Sequence, residues 1–197
     1  PAAAFKNCTS LTTVNIPTTT TSIGESAFYH CTSLVSLNGT NVINIPNSVT
    51  RIENNTFALN TSITAVNMGN NVTYLGESAF EGTTALANIR LSSSLETIDN
   101  RAFIGDVTLT AITIPDSVLD VGNYAFQGCS NLTTVTCEVT SSITLIGNNV
   151  FEDCSSLLEV PNLPNVQSIG DSAFANCVLL TDLSGLANLV SIGNYAF

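Results

Sequence analysis

The sequence has very little positive charge. Its 197 residues include only four Lys and Arg, one His and no Trp, against 15 Asp and Glu, which gives a formal net charge of -11. The basic residues Lys6, Arg51, Arg90 and Arg101 are scattered and form no stripe that could hold phosphates. This charge distribution argues against nucleic acid as a partner and against attraction to an anionic bilayer.

Long apolar runs and targeting signals are also missing. Apolar runs extend over only a few residues, too few to span a bilayer, so no direct membrane insertion is predicted. No signal peptide is visible. Because the chain starts and stops inside a repeating unit, we interpret it as a fragment of a longer array, and the missing signal then carries no information about secretion.

A folded core is nevertheless expected, and phenylalanine shows how it is built. The chain is 44% hydrophobic and only 10% charged, unlike a disordered segment. Successive phenylalanines are separated by 23 residues six times, and once each by 29 and 25 residues. Such tandem spacing indicates a solenoid of about eight coils. The nine phenylalanines are Phe5, Phe28, Phe57, Phe80, Phe103, Phe126, Phe151, Phe174 and Phe197.

Each repeat predicts two extended segments joined by turns. Apolar residues nine and eleven positions after the phenylalanine, such as Ile112 and Ile114, alternate as in a half-buried strand. A second apolar pair before the next phenylalanine, such as Val118 and Val121, predicts a second extended wall. Glycine four residues before most phenylalanines predicts a bend with positive φ. The Asp, Glu or Asn that follows it predicts the start of one short helical turn.

Two repeats are longer than the others. Six extra residues lie near 38–43 and two lie near 138–142. Both insertions follow the first strand of their repeat, so we expect them to bulge from the same rim. Insertions on one rim are typical of a binding edge, although neutral drift in a loop gives the same pattern.

The repeat resembles a known family. The phrase Ile-Gly-x-x-Ala-Phe-x-x-Cys-x-x-Leu-x-x-Val-x-Ile-Pro, nearly complete from Val121 to Val135, resembles the BspA-type leucine-rich repeat over essentially the whole chain. Departures occupy single slots, such as Thr56 for the alanine and Glu53 for the glycine. The resemblance implies one α/β leucine-rich repeat solenoid over residues 1–197, as found on surface or secreted proteins of bacteria and unicellular eukaryotes. Some members of the family are adhesins that bind host matrix proteins or other cells.

No catalytic, cofactor or metal site is predicted. The lone His30 has no nucleophile in a recurring relation to it and is interpreted as a surface-loop residue. The acidic pairs Glu152–Asp153 and Asp116 with Asp120 do not form the ligand string of a calcium loop, so a solvated surface is favoured. An enzyme would need a convergent acid–base or nucleophile cluster, and the sequence shows none.

Cysteines recur in one slot, three residues after the phenylalanine. No C-x-x-C pair is present, so a metal site is not predicted. Stacked coils would permit disulfides between neighbours. Asn60, Thr83 and Asp106 fill the same slot elsewhere, which favours buried free thiols, with Cys137 inside the strand core. The cysteines in the slot are Cys8, Cys31, Cys129, Cys154 and Cys177.

The outward side of the first strand is the candidate binding face. It is flat, rich in threonine and nearly uncharged, and it lacks the aromatic anchors that dominate tight interfaces. Threonine also simply suits exposed strands, which is the alternative explanation. The candidate binding face comprises Thr12, Asn15, Ser36, Asn38, Thr64, Asn67, Asn88, Arg90, Thr110, Thr113, Thr134, Thr136, Glu159 and Asp182.

Six sequons permit N-glycosylation. Their number is close to what the Asn, Ser and Thr content alone produces, so it is not evidence for secretion. The sequon asparagines are Asn7, Asn38, Asn54, Asn60, Asn71 and Asn131.

The function expected is a non-catalytic extracellular or cell-surface module for adhesion or recognition of a protein or glycan. The alternative is a structural subunit whose partner is another copy of itself in a filament or coat.

Overall fold

A computed structural model describes residues 1–137 and 140–197. Within these residues the backbone forms 15 short strands, all paired in parallel, and no helix. The described residues accordingly include no helix long and apolar enough to cross a membrane. We number the coils by the phenylalanine that opens each, from coil 1 at Phe5 to coil 8 at Phe174. Each coil has a first wall, a turn, a second wall and a turn arc that leads into the next phenylalanine.

The first wall contains the strands that the spacing nine and eleven predicts in coils 1 to 6, together with one strand, β4 (Ile43–Asn44), that it does not predict. In coil 5 it alternates exposed and buried residues, with Ile112 and Ile114 pointing inward and each 3% exposed. Coils 7 and 8 contribute only a single bridge, between Glu159 and Asp182, and Pro161 supplies no ladder donor there. The first-wall strands are β1 (Thr13–Val14), β3 (Ser36–Leu37), β4 (Ile43–Asn44), β6 (Ala65–Asn67), β8 (Asn88–Arg90), β10 (Ala111–Ile114) and β12 (Thr134–Cys137).

The second wall consists of two-residue strands, each placing one large apolar side chain inward except in coil 8, where Ile192 is exposed. They stack in register, so that Ile52 of coil 2 lies beside Leu75 of coil 3. This wall is continuous through coil 5 and resumes from coil 6 to coil 8. Its strands are β2 (Ser22–Ile23), β5 (Arg51–Ile52), β7 (Tyr74–Leu75), β9 (Thr97–Ile98), β11 (Asp120–Val121), β13 (Leu145–Ile146), β14 (Ser168–Ile169) and β15 (Ser191–Ile192).

The phenylalanines form the spine of the core, as the repeat predicts. Their rings stack from coil to coil with centroids 5.2–5.6 Å apart and with planes 3–18° from parallel. Phe57, Phe80 and Phe103 are completely buried, whereas Phe5 and Phe197 at the two ends are 37% and 48% exposed. The offset contact of aromatic faces adds to the hydrophobic gain of burying each ring.

The arc around each phenylalanine is not helical, so the short helical turn expected there is wrong. The N–H of Phe80 donates to Ala102 O of the next coil (2.8 Å), whereas the N–H of Glu81 closes a turn onto Ser78 O (3.2 Å). Alternate N–H groups therefore leave the coil, and the successive i→i−4 bonds of an α-helix do not form. Positive φ values at Ser78 and Gly82 mark the third positions of type II turns on either side.

The glycine before each arc does not have the positive φ expected of it, since among glycines such values occur only at Gly39, Gly82, Gly105 and Gly128. Close approach of the neighbouring coil is what requires it. A Cβ on Gly76 would lie 2.6 Å from Oδ1 and 2.7 Å from N of Asn54. At Gly76 only a residue without a side chain lets the two backbones come this close, whereas in coil 2 Glu53 fills the same slot.

The Asn or Asp one position after the glycine slot, which Asp99 fills in coil 4, does accept an N–H, but from the next coil rather than from a helical turn of its own. Asn100 Oδ1 accepts from the Asn123 N–H (2.8 Å), and Asn123 Oδ1 accepts from the Asn148 N–H (2.7 Å). The links continue through Asp171 to Asn194. The capping interpretation is therefore wrong about the partner, and the correct role is a hydrogen-bonded side-chain ladder between coils.

The insertion at 38–43 adds a strand to the first wall in addition to an exposed loop. Strand β4 lies between β3 and β6, pairing Ile43 with Leu37 on one side and with Val66 on the other. Asn38 leaves the wall with a φ of 62°, and its Oδ1 accepts from the N–H of Ile16 (2.7 Å) in coil 1. Coil 2 thus supplies two strands to the first wall but only β5 to the second.

The insertion at 138–142 is described only in part, because residues 138 and 139 lie outside the described ranges. Of the others, Thr140 and Ser142 are exposed and Ser141 is buried. That both insertions project from one rim therefore stays a prediction.

Candidate binding face

The candidate binding face lies on the outer side of the first wall, where the parallel register aligns it from coil to coil. Asn67 lies beside Arg90 on β6 and β8, and Thr113 lies beside Thr136 on β10 and β12. Twelve of its fourteen residues are exposed, and Thr134 is half-buried. Ser36 corrects the expected set, because it is only 2% exposed on the strand directly before the added strand β4.

Side-chain amides are bonded to one another across the first coils of this face. Asn67 Nδ2 donates to Asn44 Oδ1 (3.1 Å), and Asn44 Nδ2 donates to the hydroxyl of Thr40 on the loop. Asn38 Nδ2 in turn donates to Asn44 O (3.3 Å). This network fixes the insertion against the wall and leaves few free amide donors there.

Two sites on the face carry charge, and they have opposite signs. The Arg90 guanidinium donates to Asn70 Oδ1 (3.1 Å) and Met68 O (3.0 Å), which holds it at the end of β8. Glu159 and Asp182 lie beside each other in coils 7 and 8. Hydrogen bonds from the N–H and hydroxyl of Ser184 lower the pKa of Asp182. The rest of the face is neutral.

A second polar cluster, which the sequence reasoning missed, lies on the second wall. The Arg51 guanidinium stacks 4.0 Å from the Tyr74 ring centroid and its Nε pairs with Glu53 Oε1 at 2.9 Å. The Tyr74 hydroxyl donates to Asp99 Oδ2 (2.7 Å). Burial, reinforced by Asp99, raises the pKa of Tyr74 to about 12.

This cluster has a sequence signal. A basic residue precedes a tyrosine by one 23-residue repeat three times, and all three pairs bring a cation over a ring. In the Arg51–Tyr74 pair the cation already lies over a ring, and Arg51 Nε and Nη2 and the Tyr74 hydroxyl each have an acceptor, so this pair stabilises the wall rather than offering free groups to a substrate. The three pairs are Lys6 with Tyr29, Arg51 with Tyr74 and Arg101 with Tyr124.

All six cysteines are free, and all except Cys8 are buried. The thiol of Cys129 donates to Phe103 O (3.2 Å) and that of Cys154 to Phe126 O (3.2 Å), so each bonds the coil before it. Burial raises the pKa of Cys129 well above its ordinary value and that of Cys137 to about 12. These thiols are poor nucleophiles, as expected for structural cysteines. In the described residues, no three His, Cys, Asp or Glu side chains gather as metal ligands.

Asn60 occupies the cysteine slot and is not available for glycosylation in the folded chain. It is completely buried, and its Nδ2 donates to Phe28 O (2.8 Å) and Phe57 O (2.7 Å). A glycan would have to attach to that nitrogen. Asn54 is half-buried and accepts the Glu77 N–H (3.0 Å), whereas the other four sequon asparagines are exposed.

Comparisons with known proteins place the fold. The model of the BspA type leucine rich repeat region, in six copies, matches residues 1–133 and 84–197. No curated protein matches the sequence. The solved leucine rich repeat protein TpLRR of T. pallidum is 27% identical, with a TM-score of 0.64, and the match covers 91% of this chain and 70% of that one.

Two further solved structures have similar folds. A leucine rich cell surface protein from Faecalibacterium prausnitzii A2-165 is 27% identical with a TM-score of 0.54, over 97% of this chain and 62% of its own. This chain therefore spans less than two thirds of that protein. The pneumococcal vaccine antigen PcpA is 16% identical with a TM-score of 0.53, over 92% of this chain and 68% of that one, which shows a shared fold alone.

Proposed function

Because the chain belongs to the BspA type leucine rich repeat family, we propose that it is a non-catalytic extracellular or cell-surface module that recognises a protein or glycan. One observation carries this proposal: twelve exposed residues follow the outer side of the first wall through all eight coils, and the parallel register aligns them within its paired segments. Repeat solenoids use such extended surfaces to bind partners. The cell-surface description of the F. prausnitzii protein supports the location.

Matched double variants test which wall binds. Thr64→Lys with Thr110→Lys places two charges on the candidate binding face, and Thr50→Lys with Thr144→Lys places the same charges on exposed positions of the second wall. Binding is measured on immobilised extracellular matrix proteins and on a glycan array. We expect the first pair to weaken binding at least about tenfold and the second pair to leave it unchanged. Equal effects of the two pairs, or no binding by the parent chain, would contradict the proposal.

A second candidate function is self-assembly, favoured by the apolar surface of coil 8. Val178 is 76%, Val190 81% and Tyr195 85% exposed. A neighbouring copy that covered these side chains would gain about 25 cal/mol per Å² buried. Under this alternative, sedimentation velocity shows a mass that grows with concentration, and Val190→Asp returns it to that of one chain. A constant monomer mass in the parent chain excludes it.

A further inference from the structure

The first wall is interrupted in its middle. Coils 3 and 4 are joined there by hydrogen bonds from Met68 N to Arg90 O (3.0 Å) and from Ala87 N to Thr64 O (3.0 Å). Strands β8 and β10, the next neighbours in the stack, are not paired. In the described part of the chain, the corresponding N–H groups of Leu91 and Thr110 have no hydrogen-bond acceptor.

A cleft of about 300 Å³ opens at the carboxyl ends of these two strands. Ile89, Leu91 and Pro115 give it an apolar lining, and the polar residues Arg90 and Thr113 are among the others that line it. Leu91 is only 6% exposed as a residue, and it lines the cleft. Buried N–H groups without a partner are rare, and that of Leu91 indicates a position for an acceptor brought by a ligand.

The groups around the cleft indicate that the acceptor on the ligand carries a negative charge. Arg90 is the only charged residue of the candidate binding face in coils 1 to 6, and the two acids of the face lie in coils 7 and 8. One guanidinium with a backbone N–H and a hydroxyl matches one carboxylate, which accepts up to four hydrogen bonds and carries one charge. The apolar lining suits the aliphatic side chains that flank such a residue in an extended segment.

We propose that this cleft binds the carboxylate of an Asp or Glu in an extended segment of a partner protein. The proposal rests on the recognition function proposed above and names its point of contact. Arg90 pairs with the carboxylate, the Leu91 N–H and Thr113 hydroxyl donate to its oxygens, and Ile89 and Pro115 contact the neighbouring side chains.

Titration with a pair of model peptides tests the cleft directly. The probes are Ac-Thr-Val-Asp-Val-NH₂ and the same peptide with Asn in place of Asp, followed by ¹⁵N–¹H NMR of the whole chain. We expect the Asp peptide to shift the Leu91 amide resonance and to bind about tenfold more tightly than the Asn peptide. Arg90→Gln and Thr113→Val should remove this preference, and Arg101→Gln, on the far side of the coil, should leave it unchanged.

Several outcomes overturn the proposal. They are a Leu91 amide that does not move, equal affinity for the two peptides, or an equal loss in Arg90→Gln and Arg101→Gln. A heparin disaccharide that binds at the same resonances more tightly than the Asp peptide would overturn it in favour of a sulfated glycan. If the matrix and glycan panel shows binding that Arg90→Gln does not weaken, this inference fails while the proposed function stands. If the Asp peptide binds and the panel shows nothing, the proposed function fails alone.

Discussion

Replacing Asp106 with Asn should stabilise the protein at neutral pH. Asp106 occupies the cysteine slot of coil 5 and is completely buried, with its Oδ2 lacking any hydrogen-bond partner in the described residues. Oδ1 accepts from the Thr83 hydroxyl at 2.8 Å. Burial raises the pKa of Asp106 well above its ordinary value, the hydrogen bond from Thr83 partly offsets this, and the charge of Glu81 adds to it. Cys129 faces it from the next coil.

The direction of the pH dependence follows from the raised pKa. The folded state favours the protonated carboxyl, so the stability that Asp106 contributes is full below its unfolded pKa of about 4 and is lost as the pH rises through the folded value. At pH 7 the unfolded chain carries a solvated carboxylate that folding must bury or protonate. Asn60 shows what an amide does in this slot, where it donates to two phenylalanine carbonyls. We therefore expect Asp106→Asn to gain about 1–3 kcal/mol at pH 7.

Urea unfolding of the parent chain and of Asp106→Asn at pH 4, 5.5 and 7 measures this gain. The difference between the two should be small at pH 4 and should grow with pH. Asp120→Asn, which removes the same charge from an exposed position, is the control and should show no such growth. A difference that shrinks as pH rises, or one that matches the control, would refute the assignment of a buried, unsatisfied carboxyl.

Three further substitutions or modifications test other parts of the stack. Phe103→Ala should lower the free energy of unfolding in urea by about 3–5 kcal/mol, and Phe5→Ala at the exposed end should lower it much less. A loss below about 1 kcal/mol for Phe103→Ala would contradict the place of Phe103 in the spine. In the folded chain Ellman's reagent should react rapidly with Cys8 alone, because the other five thiols are buried, and a second fast thiol would disprove this. Gly170→Ala should destabilise by about 1–3 kcal/mol, because its Cβ would lie 2.7 Å from Asn148 N, and an unchanged urea midpoint would show that the coils can separate there.

The solenoid and its core could be predicted from the sequence because their signals are periodic and local. Phe103 recurs at a fixed spacing from its neighbours, and Ile112 and Ile114 alternate as a half-buried strand must. The cysteine slot was also predictable, since Asn60 shares it with the thiols and excludes an obligatory disulfide. The family followed from the same repeating phrase.

What the sequence could not show is where each backbone N–H group donates. Gly-x-x-Ala-Phe suits a capped helical turn and a pair of type II turns about equally, and only the carbonyls of the next coil, 23 residues away, decide between them. The same holds for Asn100, whose side chain could accept from its own turn or from Asn123. The burial of Ser36 and the unpaired N–H of Leu91 depend on which strands lie side by side, and no local pattern encodes that.

The added strand β4 has a consequence for the shape of anything built from these coils. One strand spacing is about 4.8 Å and packed sheets lie roughly 10 Å apart, so we expect an extra strand on one side alone to tilt the coils above it by about 25°. Across the same step the rings of Phe28 and Phe57 stay 5.4 Å apart, so the spine acts as the pivot. A six-residue insertion in one loop can thus change the direction of all the coils that follow it. The orientation of a distant surface is then determined by one short insertion in the sequence.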